Sequence, residues 1–90
     1  MGQSPRVTRE GKKMEITELI REHDFVERGN LLDSKGEYQK AIAAYNHALS
    51  IDPADADALF NKGETLVKMG KLAEAQKLFD TAIAMYVGEI

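Results

Sequence analysis

Residues 22–55 and 56–89 repeat one another at an offset of 34 residues. Five positions are identical at that offset: Gly29/Gly63, Leu32/Leu66, Gly36/Gly70, Ala41/Ala75 and Ala48/Ala82. Phe25/Leu59, Arg28/Lys62, Tyr45/Phe79 and Leu49/Ile83 are close substitutions. Within each unit the apolar residues recur at spacings of three and four, which marks a helix face. A period of this length specifies one helix–turn–helix hairpin per unit, stacked so that each unit covers its neighbour. The fold class is therefore all-α, with four helices in an antiparallel array.

The helix limits follow from breakers and caps. Periodicity begins near Met14, where Ile16, Leu19 and Ile20 share a face and Glu15 and Glu18 suit a first turn. The first helix is predicted over 14–34, with Gly36 closing it. It is extended at its N-terminal end relative to its counterpart in the second unit. The second helix is predicted over 37–50, with Tyr38, Ala41, Ile42, Tyr45, Ala48 and Leu49 in one stripe. Pro53 lacks a backbone donor and disfavours helix at Asp52, and Asp55 is a good N-cap. The third helix is predicted over 56–69, ended by Gly70. The fourth covers 72–86, using Leu72, Ala75, Leu78, Phe79, Ala82 and Ile83. Gly29 and Gly63 let the paired helix approach where a Cβ would intrude. Tyr45 and Phe79 fill the gap, each stabilising by about 1.5–3 kcal/mol through burial.

This set resembles the tetratricopeptide repeat (TPR). The first repeat, about 22–55, matches the family pattern with Phe25, Gly29, Leu32, Gly36, Tyr38, Ala41, Tyr45, Ala48 and Pro53. The second, about 56–89, matches with Leu59, Gly63, Leu66, Gly70, Leu72, Ala75, Phe79 and Ala82. Arg28 and Lys62 stand where the family often has Leu, and Val87 replaces the closing Pro. Two repeats are present, whereas such arrays usually need about three, and the polar helix that usually caps the last repeat is absent.

The resemblance implies an alpha-alpha superhelix that serves as a non-catalytic protein–protein interaction module. A peptide or partner helix would dock in the concave groove formed by the first helix of each repeat. Carried over residue by residue, that groove is His23, Val26, Glu27, Asn30, Asp33 and Ser34, then Asp57, Phe60, Asn61, Glu64, Val67 and Lys68. Val26, Phe60 and Val67 are expected to leave apolar surface among the polar groups. Some co-chaperone members grip a C-terminal carboxylate with two Asn and several basic residues. Asn30 and Asn61 match two of those positions, but Val26 replaces the first Lys and the other basic residues have no counterpart. Glu27, Asp33, Asp57 and Glu64 face only Lys68, so the expected ligand is apolar or basic rather than acidic.

Composition narrows the remaining classes. The chain has no Cys, which excludes disulfides and thiol chemistry and suits a reducing, cytoplasmic compartment. No apolar run approaches the roughly 20 residues of a membrane span. Residues 1–13 carry Arg6, Arg9, Lys12 and Lys13 against Glu10, a charge of +3, which leaves −6 on the rest of a chain at −3. This segment is expected to be a disordered basic tail ahead of a repeat domain over 14–90. Its four basic residues without an aromatic make a weak footprint for nucleic acid, so that partner is disfavoured.

The chain is not expected to be an enzyme, and no cofactor or metal is expected. His23 and His47 lie on different helices and have no acid–base partner at a motif spacing. Glu15, Glu18 and Glu22 read as a solvated helix face. The last helix carries more apolar residues than one neighbour can shield. A weak homodimer through that surface is the alternative function, a structural self-association module.

Overall fold

The computed structural model describes residues 16–89. Its order is α1 (Ile16–Ser34), α2 (Tyr38–Ile51), α3 (Ala56–Lys68) and α4 (Leu72–Tyr86), with no strand among the described residues. The expected start of the first helix at Met14 and the basic segment 1–13 lie outside the described residues. The α4 limits agree with the sequence pattern, α2 shifts by one residue at both ends, and α3 ends one residue earlier.

Helix endings repeat as the sequence does. Gly36 and Gly70 both adopt φ +79°. At the first ending the Gly36 N–H donates to Asp33 O at 3.0 Å and the Glu37 N–H to Leu32 O at 2.9 Å. At the second, Gly70 donates to Val67 O and Lys71 to Leu66 O, both at 2.9 Å. These paired bonds satisfy carbonyls that a helix end otherwise leaves open, and the left-handed residue they require is cheapest as Gly. The α2–α3 turn is built by Asp52 and Asp55. Asp52 Oδ1 accepts from Ala54 N and Asp55 Oδ1 from Ala58 N, each at 3.0 Å, so the turn is tied on both sides of Pro53.

Packing is pairwise. α1 lies on α2, α3 lies on α4, α2 leans on α3, and α1 meets α3 over a short stretch. The core is Val26, Ala41, Tyr45, Ala48 and Ala58, with Phe25, Leu32 and Leu49 against it. The glycine expectation holds in detail. A Cβ on Gly29 would lie 2.5 Å from the Tyr45 ring, and one on Gly63 would lie 2.6 Å from Phe79. Small residues on one helix thus accept an aromatic ring from the next. Ala41, Ala48 and Ala82 are fully buried, and Ala75 nearly so.

Glu22 departs from the sequence reading. It was expected on a solvated face, yet it is 4% exposed. The helical spacing with Glu18 is real, but α1 turns Glu22 inward toward the α2–α3 turn. Its carboxylate lies within 4.8 Å of those of Asp52 and Asp55. Glu18 is exposed, and Glu15 lies outside the described residues.

Candidate partner-binding groove

Of the predicted groove residues, Asn30, Asp33, Asn61 and Lys68 come together where α1 meets α3. Cross-links between the two helices fix the register. Asn61 Nδ2 donates to Asn30 Oδ1 at 3.2 Å, Thr65 Oγ1 donates to Asp33 Oδ1 at 2.7 Å, and Lys68 Nζ donates to Asp33 Oδ2 at 2.6 Å. Residues 31 to 35 positions apart thus sit on one surface. The Tyr45 hydroxyl, from α2 behind the groove, also donates to Asn30 Oδ1, at 2.6 Å. At the other rim the Tyr86 hydroxyl of α4 donates to Asp57.

His23, Glu27, Asn30, Ser34, Asp57, Glu64 and Lys68 are exposed, and Asp33 and Asn61 are half-buried. Phe60 is 36% exposed and Val67 43% exposed. Val26 differs from expectation. It is 9% exposed and belongs to the core cluster with Ala58 of α3, so it offers no apolar groove surface. Phe60, its counterpart one period on, has no following helix among the described residues to cover it, and its ring rests on Phe79 at 5.1 Å. Glu64, Val67, Lys68 and Phe79 line a shallow depression beside it.

The electrostatics follow from these contacts. Burial works against the charge on Asp33, but the Lys68 ammonium and the Thr65 hydroxyl outweigh it and hold the carboxyl below its ordinary value of 3.8. The same contact with Asp33 raises Lys68. Lys68 is thus bonded to Asp33, and the charge of Glu64 one turn earlier adds a smaller attraction. His23 lies 3.3 Å from Glu27 and balances it only when protonated. Burial and the nearby Asp33 charge push the Tyr45 phenol up to about 12, which keeps it a donor to Asn30 across the neutral range.

Three participants escaped the sequence reading: Tyr45, Thr65 and Tyr86. The sequence pattern gives Tyr45 a packing role alone, yet its hydroxyl also orients a groove amide. One trace of this was visible, because the units differ together at two places. Tyr45 and Asn30 in the first correspond to Phe79 and Glu64 in the second, so the hydroxyl and its amide partner are exchanged as a pair. Thr65 and Asp33 correspond to Leu31 and Val67, and no such trace marks them.

Comparison with known proteins bears on the whole arrangement. A family described as TPR repeat matches residues 29–70, and one described as Tetratricopeptide repeat matches residues 56–86. An uncharacterized protein of Methanocaldococcus jannaschii is 31% identical over 61 residues, which is 68% of this chain and 71% of that protein. Among the described residues no helix is long and apolar enough to cross a membrane.

Proposed function

Because the chain belongs to the tetratricopeptide-repeat family, whose repeats generally mediate protein–protein interaction, we propose that it is a non-catalytic binding module whose α1–α3 groove takes an apolar or basic segment of a partner. One observation carries the preference. The groove's one lysine is paired with Asp33 at 2.6 Å, while Phe60 and Val67 stand exposed beside Glu64 and near Asp57. An aliphatic side chain fits the depression at Val67 and Phe79, and a Lys or Arg beside it meets Glu64. An acidic tail meets the same carboxylates and is repelled. Asn30 accepts from Tyr45 and Asn61 through Oδ1, which fixes the amide's orientation and leaves Nδ2 as its group for a partner.

A displayed peptide library selected against the full chain tests this reading. Enriched sequences should combine Lys or Arg with aliphatic residues. Their binding should weaken in added salt and on Glu64→Lys, since exposed pairs contribute only about 0–1 kcal/mol each and are screened. Enrichment of acidic C-terminal sequences, with binding lost on Asn30→Ala and Asn61→Ala, would refute it.

A second reading rests on a separate surface. Leu72, Ile83 and Val87 are each more than half exposed, and they share one side of α4. Self-association through that side would cover it.

A further inference from the structure

The two ends of the helix array are chemically unlike. Where α2 meets α3, Ile42 and Asn46 share a groove with Lys62 and Leu66. One period on, Gln76 and Asp80 hold those places on α4, with Leu72, Phe79 and Ile83 beside them. Among the described residues no helix covers this side, and Leu72 is 62%, Ile83 53% and Val87 64% exposed. Tyr45 is 1% exposed at the place on α2 that Phe79 holds on α4.

A second copy could cover α4 in two ways. In the first it docks head to tail, offering α1 in the register that α3 takes on α2. The positions that α3 packs there are then filled by Asp24 for Ala58, Arg28 for the half-buried Lys62 and Leu31 for Thr65. Ala58 and Thr65 are fully buried. Asp24 now forms an exposed pair with Arg28 at 3.1 Å, and Arg21 adds a further charge one turn earlier. Seating Asp24 in the fully buried place of Ala58 takes its carboxylate out of water, and its attraction to Arg28 does not reliably repay the loss. The Asp24 carboxylate thus disfavours stacking at the α1 end.

In the second way α4 meets α4. Lys71 caps its N-terminal end, and Glu89 lies just beyond its C-terminal end. Antiparallel pairing centred between Phe79 and Asp80 sets Leu72 against Val87 of the second copy and Gln76 against Ile83. It also brings Lys71 toward Glu89, and two-fold symmetry makes every contact twice. We infer that the chain forms a closed, two-fold symmetric dimer through antiparallel α4 helices, an inference that rests on the self-association reading above. One helix face falls below the roughly 1,200–2,000 Å² of a stable interface, so the dimer is weak and reversible.

Two measurements on the full chain separate the association from its geometry. In sedimentation equilibrium the mass should rise with concentration from the 10.0 kDa of one chain and level off at twice that. Ile83→Glu and Leu72→Glu, both at exposed positions, should hold it at one chain while keeping helical circular dichroism. A mass fixed at one chain up to hundreds of micromolar removes the self-association reading and the dimer with it, and leaves α4 to a different partner. Disulfide trapping reads the geometry, helped by the absence of Cys. Asp80→Cys, near the two-fold axis, should cross-link to itself. A mixture of Arg28→Cys and Asp80→Cys chains should give no mixed product. A mixed product, or a mass growing past two chains, would overturn the α4–α4 contact while leaving self-association standing.

Discussion

The same substitution should have opposite consequences in the two repeats. Alanine in place of a helical Gly gains about 1 kcal/mol in helix propensity. Against that stands the cost of overpacking, about 1–3 kcal/mol where a new methyl meets a filled space. At Gly29 the added Cβ would lie 2.5, 2.7 and 2.9 Å from three atoms of the Tyr45 ring. That ring is 1% exposed, and its hydroxyl is tied to Asn30 at 2.6 Å. It cannot swing aside without breaking that bond, so the cost falls in the upper half of the range and Gly29→Ala destabilises by about 1–2 kcal/mol net. At Gly63 the Cβ would lie 2.6, 2.9 and 3.1 Å from Phe79. Phe79 has no hydroxyl to anchor it, is half-buried, and borders the open depression at Val67. Its ring can move, so the propensity gain survives and Gly63→Ala ranges from neutral to about 1 kcal/mol stabilising. The variants should differ by about 2 kcal/mol, which for a domain of this size is a melting-temperature gap on the order of 10 °C. Thermal and urea unfolding followed by circular dichroism measure it. Adding Tyr45→Phe to Gly29→Ala should recover part of the loss by freeing the ring. If Gly29→Ala proves as stable as Gly63→Ala, ring anchoring is not what separates the repeats.

Two further outcomes follow from the polar contacts. Tyr45→Phe alone should cost about 0.5–1.5 kcal/mol in urea unfolding, because the Asn30 amide loses its shorter partner. Folded Asp33 titrates below its ordinary 3.8, so its contribution to stability is present above that value and is lost as pH falls through the folded one; Asp33→Asn should flatten this part of the acid profile, and an unchanged profile would mean that Lys68 and Thr65 do not hold the carboxyl charged.

The fold was legible because its determinants are local and repeated. Gly36 and Gly70 announce helix ends that nothing distant has to create, and Asp52-Pro53 with Asp55 writes the turn between repeats in four residues. The glycine–aromatic contacts were also legible, since the 34-residue offset pairs Gly29 with Gly63 and Tyr45 with Phe79. Each position thus appears twice with the same chemistry. Burial at the edges was not legible in this way. Glu22 and Val26 lie on α1 at spacings that suit a solvated or groove-facing helix, and what covers them lies about thirty residues further on. Their counterparts Ala56 and Phe60 gave no warning, because each end of an array meets a different neighbour.

The candidate groove was legible as a surface but not as a network. The family resemblance assigned His23, Glu27, Asn30, Asp57, Phe60, Asn61 and Glu64 to the first helices of the two repeats, and of these Asn61 is half-buried and the others are exposed. Whether those side chains are available to a partner depends on which of them already satisfy one another. Asn30 accepts from Tyr45 and Asn61, and Asp33 accepts from Thr65 and Lys68. All four bonds join residues that the repeat does not relate, because identical units carry identical residues and so cannot record contacts made once. The consequence is chemical. Lys68, the groove's one lysine, makes its hydrogen bond to Asp33 and only a weaker long-range attraction to Glu64, while Asp57 accepts from Tyr86. A family pattern can therefore locate a binding surface, whereas the sign of its ligand is set by the residues in which the two repeats differ.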